Sequence, residues 1–269
     1  MHARRPLVTL SVLLLAAGAL QAVAATIRWA PCIRDLGGME CALIQNHTFD
    51  YKIVSQPFEA IPVAVPLAGI SSLLLAAFWF FGARSLPALQ SRSASVTRIF
   101  CIGAAAVFAL VGVSQLLAAA SGSAFGVAGY AVGLVVWFAA TAVPITASAL
   151  LIATSTGVRV RIAWGVPLLA TLAGDQLVEY VLLEPINPSY DSPPGVGYPG
   201  AVGLVLAGIA FAVAAYTAAR SRTAAPAPAP GPADPASGPR DPAIAPAIDP
   251  ADPAAGQPRP AQSLSNPFS

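Results

Sequence analysis

Six stretches of the chain are each long and apolar enough to cross a lipid bilayer: Leu7 to Ala25, Ile61 to Phe81, Ile99 to Ala120, Phe125 to Ile152, Ile162 to Leu183 and Ala201 to Ala219. A helix rising about 1.5 Å per residue needs about 20 such residues to span a hydrocarbon core about 30 Å thick. Lipid offers no hydrogen bonds to a bare backbone, so a stretch of this kind closes its own amides into a helix. The six stretches hold no charged side chain except Asp175 and Glu179. Over the whole chain 10% of residues are charged and 56% apolar, against about 25% charged in an ordinary soluble domain. That is too little charge for a water-facing surface. The expected fold class is therefore all-α: a polytopic transmembrane helical bundle of about six spans, with the lipid bilayer as its first partner. Pro66, Pro144 and Pro167 fall inside spans and predict kinks, because neighbouring helices can satisfy the carbonyls a proline frees.

Arginine placement sets the expected orientation, since cytoplasmic loops carry an excess of Lys and Arg. Arg4, Arg5, Arg84, Arg92, Arg98, Arg159, Arg161, Arg220 and Arg222 fall on alternate connections, leaving Arg28, Arg34 and Lys52 for the other side. Both termini are expected in the cytoplasm and the protein in the cell membrane of a bacterium. Aromatic residues agree: Phe78 to Phe81, Phe100 and Trp164 gather at the inner boundary, and Trp29, Tyr180 and Tyr198 at the outer one. Residues 1–25 read either as a signal anchor or as a signal peptide, because Arg4 and Arg5 precede an apolar run ending in small residues. Cleavage would leave five spans. Residues 26–60 then form an extracytoplasmic loop and residues 61–222 the bundle. Small residues such as Gly129, Gly133, Gly203 and Gly208 supply the close helix approach that packing in lipid requires.

From residue 223 to residue 269 the composition changes. Thirteen of the 26 prolines lie here, among Ala, Asp, Gly and Ser. Such a segment cannot bury enough apolar surface to offset chain entropy and is expected to be a disordered cytoplasmic tail. The net charge of +2, without a basic cluster beyond Arg-x-Arg, gives no footprint for nucleic acid. No nucleotide, metal or nucleophile motif appears, so no cofactor is expected and other membrane proteins are the remaining partner class.

Two groups of residues carry the candidate chemistry. Cys32 and Cys41 flank Gly37-Gly38 in the exported loop, where a disulfide would persist. A structural bridge is the expected reading, with a redox pair and a metal site involving His47, Asp35, Glu40 or Asp50 as alternatives. The Cys-x8-Cys-x5-His spacing matches no standard zinc site. Cys101 has no partner on its own side and is expected to pack as a small apolar residue.

Asp175 and Glu179 stand four apart in the fifth stretch and would project from one helix face. No Lys or Arg at span depth can neutralise them. Two bare carboxylates in lipid are costly, and a shared proton or a bound cation would resolve the conflict. Gln115 with Ser114, on the third stretch at similar depth, and Thr171, one turn before Asp175, are the expected neighbours in a polar pocket; the alternative is an interfacial Glu179 with Asp175 alone buried and hydrogen-bonded to a neighbouring helix.

The paired cysteines ahead of membrane helices resemble the vitamin K epoxide reductase family, which would imply a quinone-linked thiol oxidoreductase. That family's Cys-x-x-Cys is missing, because no cysteine follows Cys101. Ile27 to Cys32 and Glu40-Cys41-Ala42 resemble the mature start of tripeptidyl-peptidase-type α/β-hydrolases, but no Gly-x-Ser-x-Gly elbow follows. Neither resemblance assigns a family. Three functional readings stay open. The first is a non-enzymatic membrane protein with a proton- or cation-binding carboxylate pair, acting in transport, sensing or complex assembly. The others are a membrane-embedded thiol/quinone oxidoreductase and a structural or interaction protein.

Overall fold

The structure, a computed structural model, describes residues 4–46, 49, 59, 61–85, 92–122, 129–155, 157–171, 177–178, 181 and 194–223. Residues Met1–Ala225 form one compact unit. Residues 226–269, most of the Pro/Ala-rich tail expected to be disordered, lie outside the described residues.

Every regular element among the described residues is helical. The helices are α1 (Arg4–Arg34), α2 (Met39–Ile44), α3 (Ala64–Ser85), α4 (Arg92–Ser121), α5 (Gly129–Thr154), α6 (Val158–Gly165) and α7 (Tyr198–Thr223), with a 3-10 turn at Val166–Ala170 after α6. Five of them, α1, α3, α4, α5 and α7, are long and apolar enough to cross a membrane.

Small residues and a few hydroxyls fix how these helices pair. Gly18 of α1 lies against Ala201, Leu204 and Val205 of α7, and Gly208 of α7 against Leu15 of α1. A Cβ on Gly208 would meet Leu15 Cγ at 2.7 Å, so the contact has no room for one. Ser11 Oγ donates to the Gly208 carbonyl at 2.7 Å, and Ser71 Oγ of α3 to the Ala17 carbonyl at 3.0 Å. Between α3 and α4, Gly69 and Gly112 bring backbones together; a Cβ on Gly112 would come within 2.8 Å of the Gly69 carbonyl. In each pair the residue numbers run in opposite directions, so α1 is antiparallel to both α3 and α7, and α3 to α4.

This arrangement gives the bundle two chemically distinct ends. Arg5 begins α1, Arg84 ends α3, Arg92 begins α4 and Arg220 ends α7, which defines a basic end. Gly165 of α6 meets Ile152 of α5, and Trp164 meets Gly82 and Phe211, so α5 finishes and α6 starts at that same end. The opposite end holds Cys32, Cys41 and the start of α7. Because α5 closes at the basic end and α7 opens at the other, the chain must travel the length of the bundle between Ser155 and Tyr198.

Two sequence expectations change. The loop expected from residue 26 begins as helix instead: α1 runs on through Thr26–Arg34 and past Pro31. Proline removes one amide from the ladder, but Arg28, Trp29 and Cys32 are buried on these last turns and hold them in place. The stretch expected as one helix from Ile162 to Leu183 is broken. The α-helix stops at Gly165, Pro167 sits in the first turn of the 3-10 segment, and Thr171 is extended with ψ 156°. Proline cannot supply the amide that an α-helical turn would need there, and the tighter turn then ends. The kink expected at Pro167 is thus a change of helix type followed by a stop, whereas α5 carries Pro144 without interruption.

Candidate functional site

Polar groups at span depth are few, and each is expensive unless bonded. Gln115 of α4 is fully buried and accepts, through Oε1, a hydrogen bond of 2.8 Å from Ser72 Oγ of α3. The pair lies one turn from the Gly69–Gly112 approach, where the absence of side chains lets an amide and a hydroxyl reach each other. Sequence reading singled out Gln115 but not Ser72. The signal available was Ser71-Ser72 inside an otherwise apolar run, with Ser71 turned to α1 and Ser72 to α4.

Thr171 is also buried. Its Oγ1 donates to the Leu168 carbonyl at 2.7 Å, closing the 3-10 turn, while Ala170 and Leu169 beside it lie against Gly203 of α7. The extended backbone at Thr171 interrupts the helical register, so the one-turn relation to Asp175 expected from sequence does not follow from helix geometry. Asp175 and Glu179 themselves lie outside the described residues. Gln115 is thus held on the α3 side of α4 and Thr171 on the α7 side of the bundle.

The end opposite the arginines has a different construction. Cys32, at the last turn of α1, and Cys41, on α2, form a disulfide with S–S 2.01 Å and Cα–Cα 4.5 Å. The bridge is 6% and 0% exposed at its two residues and packs with Trp29, Ile44, Val196 and Tyr198. Gly38 permits the turn between them, because a Cβ there would fall 2.7 Å from Asp35 Oδ2. Trp29 Nε1 donates to the Val196 carbonyl at 2.7 Å, and Tyr198 OH donates to Thr26 Oγ1 at 2.9 Å. Gly195 and Gly197, at φ 103° and 100°, bracket Val196 and aim its carbonyl at the indole. Few residues but glycine adopt that backbone.

Arg28 is the residue that sequence reading misjudged most. Counted there only among the charges opposite the basic end, it is 2% exposed. Its guanidinium lies 4.6 Å from the Trp29 ring centroid and donates through Nη2 to the Ile44 carbonyl at 3.4 Å. Nothing in the local sequence distinguishes it from Arg34, which is exposed and pairs loosely with Glu40 at 3.9 Å.

The aromatic residues expected at one membrane boundary divide in two. Phe78, Trp79 and Trp164 are buried and meet Phe211 in a four-ring cluster, with Trp164 and Phe211 centroids 4.8 Å apart. Phe80 and Phe81 are exposed, and Arg84 stacks on Phe80 at 4.7 Å. Cys101 is buried in the same apolar core as the cluster.

Among the described residues no three His, Cys, Asp or Glu side chains converge as a metal site would require. Compared with known protein families, curated proteins and solved structures, the chain matches none.

Proposed function

We propose that the chain is a non-enzymatic, multi-pass protein of the cell membrane that binds a proton or small cation through Asp175 and Glu179. The observation that carries this reading is topological. The chain must recross the bundle between Ser155 and Tyr198, and α6 with its 3-10 turn starts that return, Trp164 lying at Gly82 and Ala170 already at Gly203. We take this return as a sixth span, the apolar stretch whose sequence carries Asp175 and Glu179. Ionised acids there need a neutralising partner, and a proton or a cation is the simplest. The buried Ser72–Gln115 pair supports the reading, since it puts neutral hydrogen-bonding groups inside the same bundle. Binding of this kind serves transport, sensing or the assembly of a membrane complex.

The basic end faces the cytoplasm and the disulfide end the oxidising side. The first span is retained as an anchor. Cleavage after Ala25 would strip away Leu10, Leu14 and Ala17, which are buried, and the hydrogen bonds at Ser11 and Ala17. The intact mass of the mature protein reads this directly. Burial of both sulfurs favours a structural bridge over a redox shuttle, because exchange requires a thiolate to reach the disulfide.

Thermal unfolding of the detergent-purified protein, followed across pH and in Na⁺, K⁺, Mg²⁺ or Ca²⁺, tests the proposal. The midpoint of the wild type should respond to pH or to one of the cations, and D175N/E179Q should abolish that response while still inserting. An identical response in the variant, or none in the wild type, refutes it.

A further inference from the structure

Every carboxylate among the described residues, Asp35, Glu40 and Glu59, belongs to segments away from the basic end. At the basic end Arg5, Arg84, Arg92, Arg98, Arg159 and Arg161 are all exposed, and the sequence places no Asp or Glu within residues 60–174 or 192–233 to offset them. Among the described residues this basic rim has no carboxylate beside it. Within it α6 has a particular form. Its buried side, Ala163 and Trp164, is anchored on Gly82 and the aromatic cluster. Its other side exposes apolar Val158 and Ile162 (69% and 58%) together with Arg159 and Arg161. Arg161 Nε donates to the Ser155 carbonyl at 2.7 Å, which fixes the guanidinium and leaves its two Nη groups for an anion.

Exposed aliphatic side chains beside fixed cations make a poor surface for water alone and a good one for the headgroup layer of a bilayer. There acyl chains meet the aliphatic groups and phosphates meet the guanidinium groups. We infer that α6 and the surrounding arginines form a binding surface for anionic phospholipid headgroups at the basic end of the bundle. The inference rests on the membrane reading above.

The full chain, purified in a neutral detergent, is mixed with phosphatidylglycerol or phosphatidylcholine, and retained lipid is counted by native mass spectrometry. Phosphatidylglycerol should be retained in preference to phosphatidylcholine. R159Q/R161Q should weaken that retention about fivefold for each arginine removed, whereas R34Q, at the opposite end, should leave it unchanged. Inorganic phosphate at the same concentration should not displace the lipid, since it lacks the acyl chains. Equal retention of the two lipids, full retention by R159Q/R161Q, or displacement by inorganic phosphate would each overturn the inference. If the double variant does not fold, ionic strength substitutes for it: NaCl raised from about 0.05 M to about 0.5 M should release phosphatidylglycerol from the wild type, and unchanged retention overturns the inference as well. Recovery of the chain in soluble form without detergent refutes the membrane reading before any lipid is added. A chain that needs detergent but ignores headgroup charge refutes the lipid surface alone.

Discussion

The two ends of the bundle tie neighbouring elements to the last helix with different chemistry. At the basic end Phe78, Trp79, Trp164 and Phe211 interlock, and ring packing joins α3, α6 and α7. At the disulfide end the joint is a covalent bridge, an indole N–H on a carbonyl and a tyrosine on a threonine. The reason lies in the elements available. Long helices bring large apolar faces to the basic end, whereas α2 has six residues and too little surface to dock by itself. A short element needs a staple; interlocked helices do not.

That contrast can be broken experimentally. Phe211→Ala should have the largest effect, removing a fully buried ring and leaving a cavity that costs about 3–5 kcal/mol. Chemical unfolding in detergent measures it, and a loss below about 1 kcal/mol would deny the aromatic cluster its role. C32S/C41S should cost about 2–3 kcal/mol, the value for a short covalent loop. Hydrogen exchange should then quicken across Met39–Ile44 but not around Phe78, and uniform quickening would show that the ends are not independent. Trp29→Phe deletes the indole hydrogen bond and shrinks a buried ring, so about 1–2 kcal/mol should be lost at the disulfide end. An unchanged midpoint would mean that neither the indole N–H nor its ring packing holds this end together.

The spans were legible because lipid demands long apolar runs. The stretches read as 61–81, 99–120, 125–152 and 201–219 reappear, a few residues shifted, in α3, α4, α5 and α7. Cysteine pairing was legible because two thiols stand nine residues apart around Gly37-Gly38. Burial of Arg28 was not, since an arginine beside a tryptophan reads the same whether it snorkels or packs. Nor was the division of the aromatics. Phe78 to Phe81 are consecutive, so helix geometry sends two inward and two outward, and only the position of α7 decides which. At the candidate site Gln115 stood out as a lone amide in an apolar run. Its partner Ser72 comes from another helix, a pairing that no local pattern encodes.

The partnership between α1 and α7 also orders events in time. Ser11 meets Gly208 across 197 residues of sequence, and Trp29 meets Val196 across 167. During synthesis the first helix is thus made long before its main neighbour exists. The surface around Gly18 stays open until α7 has been made, so this contact closes only after the intervening helices exist.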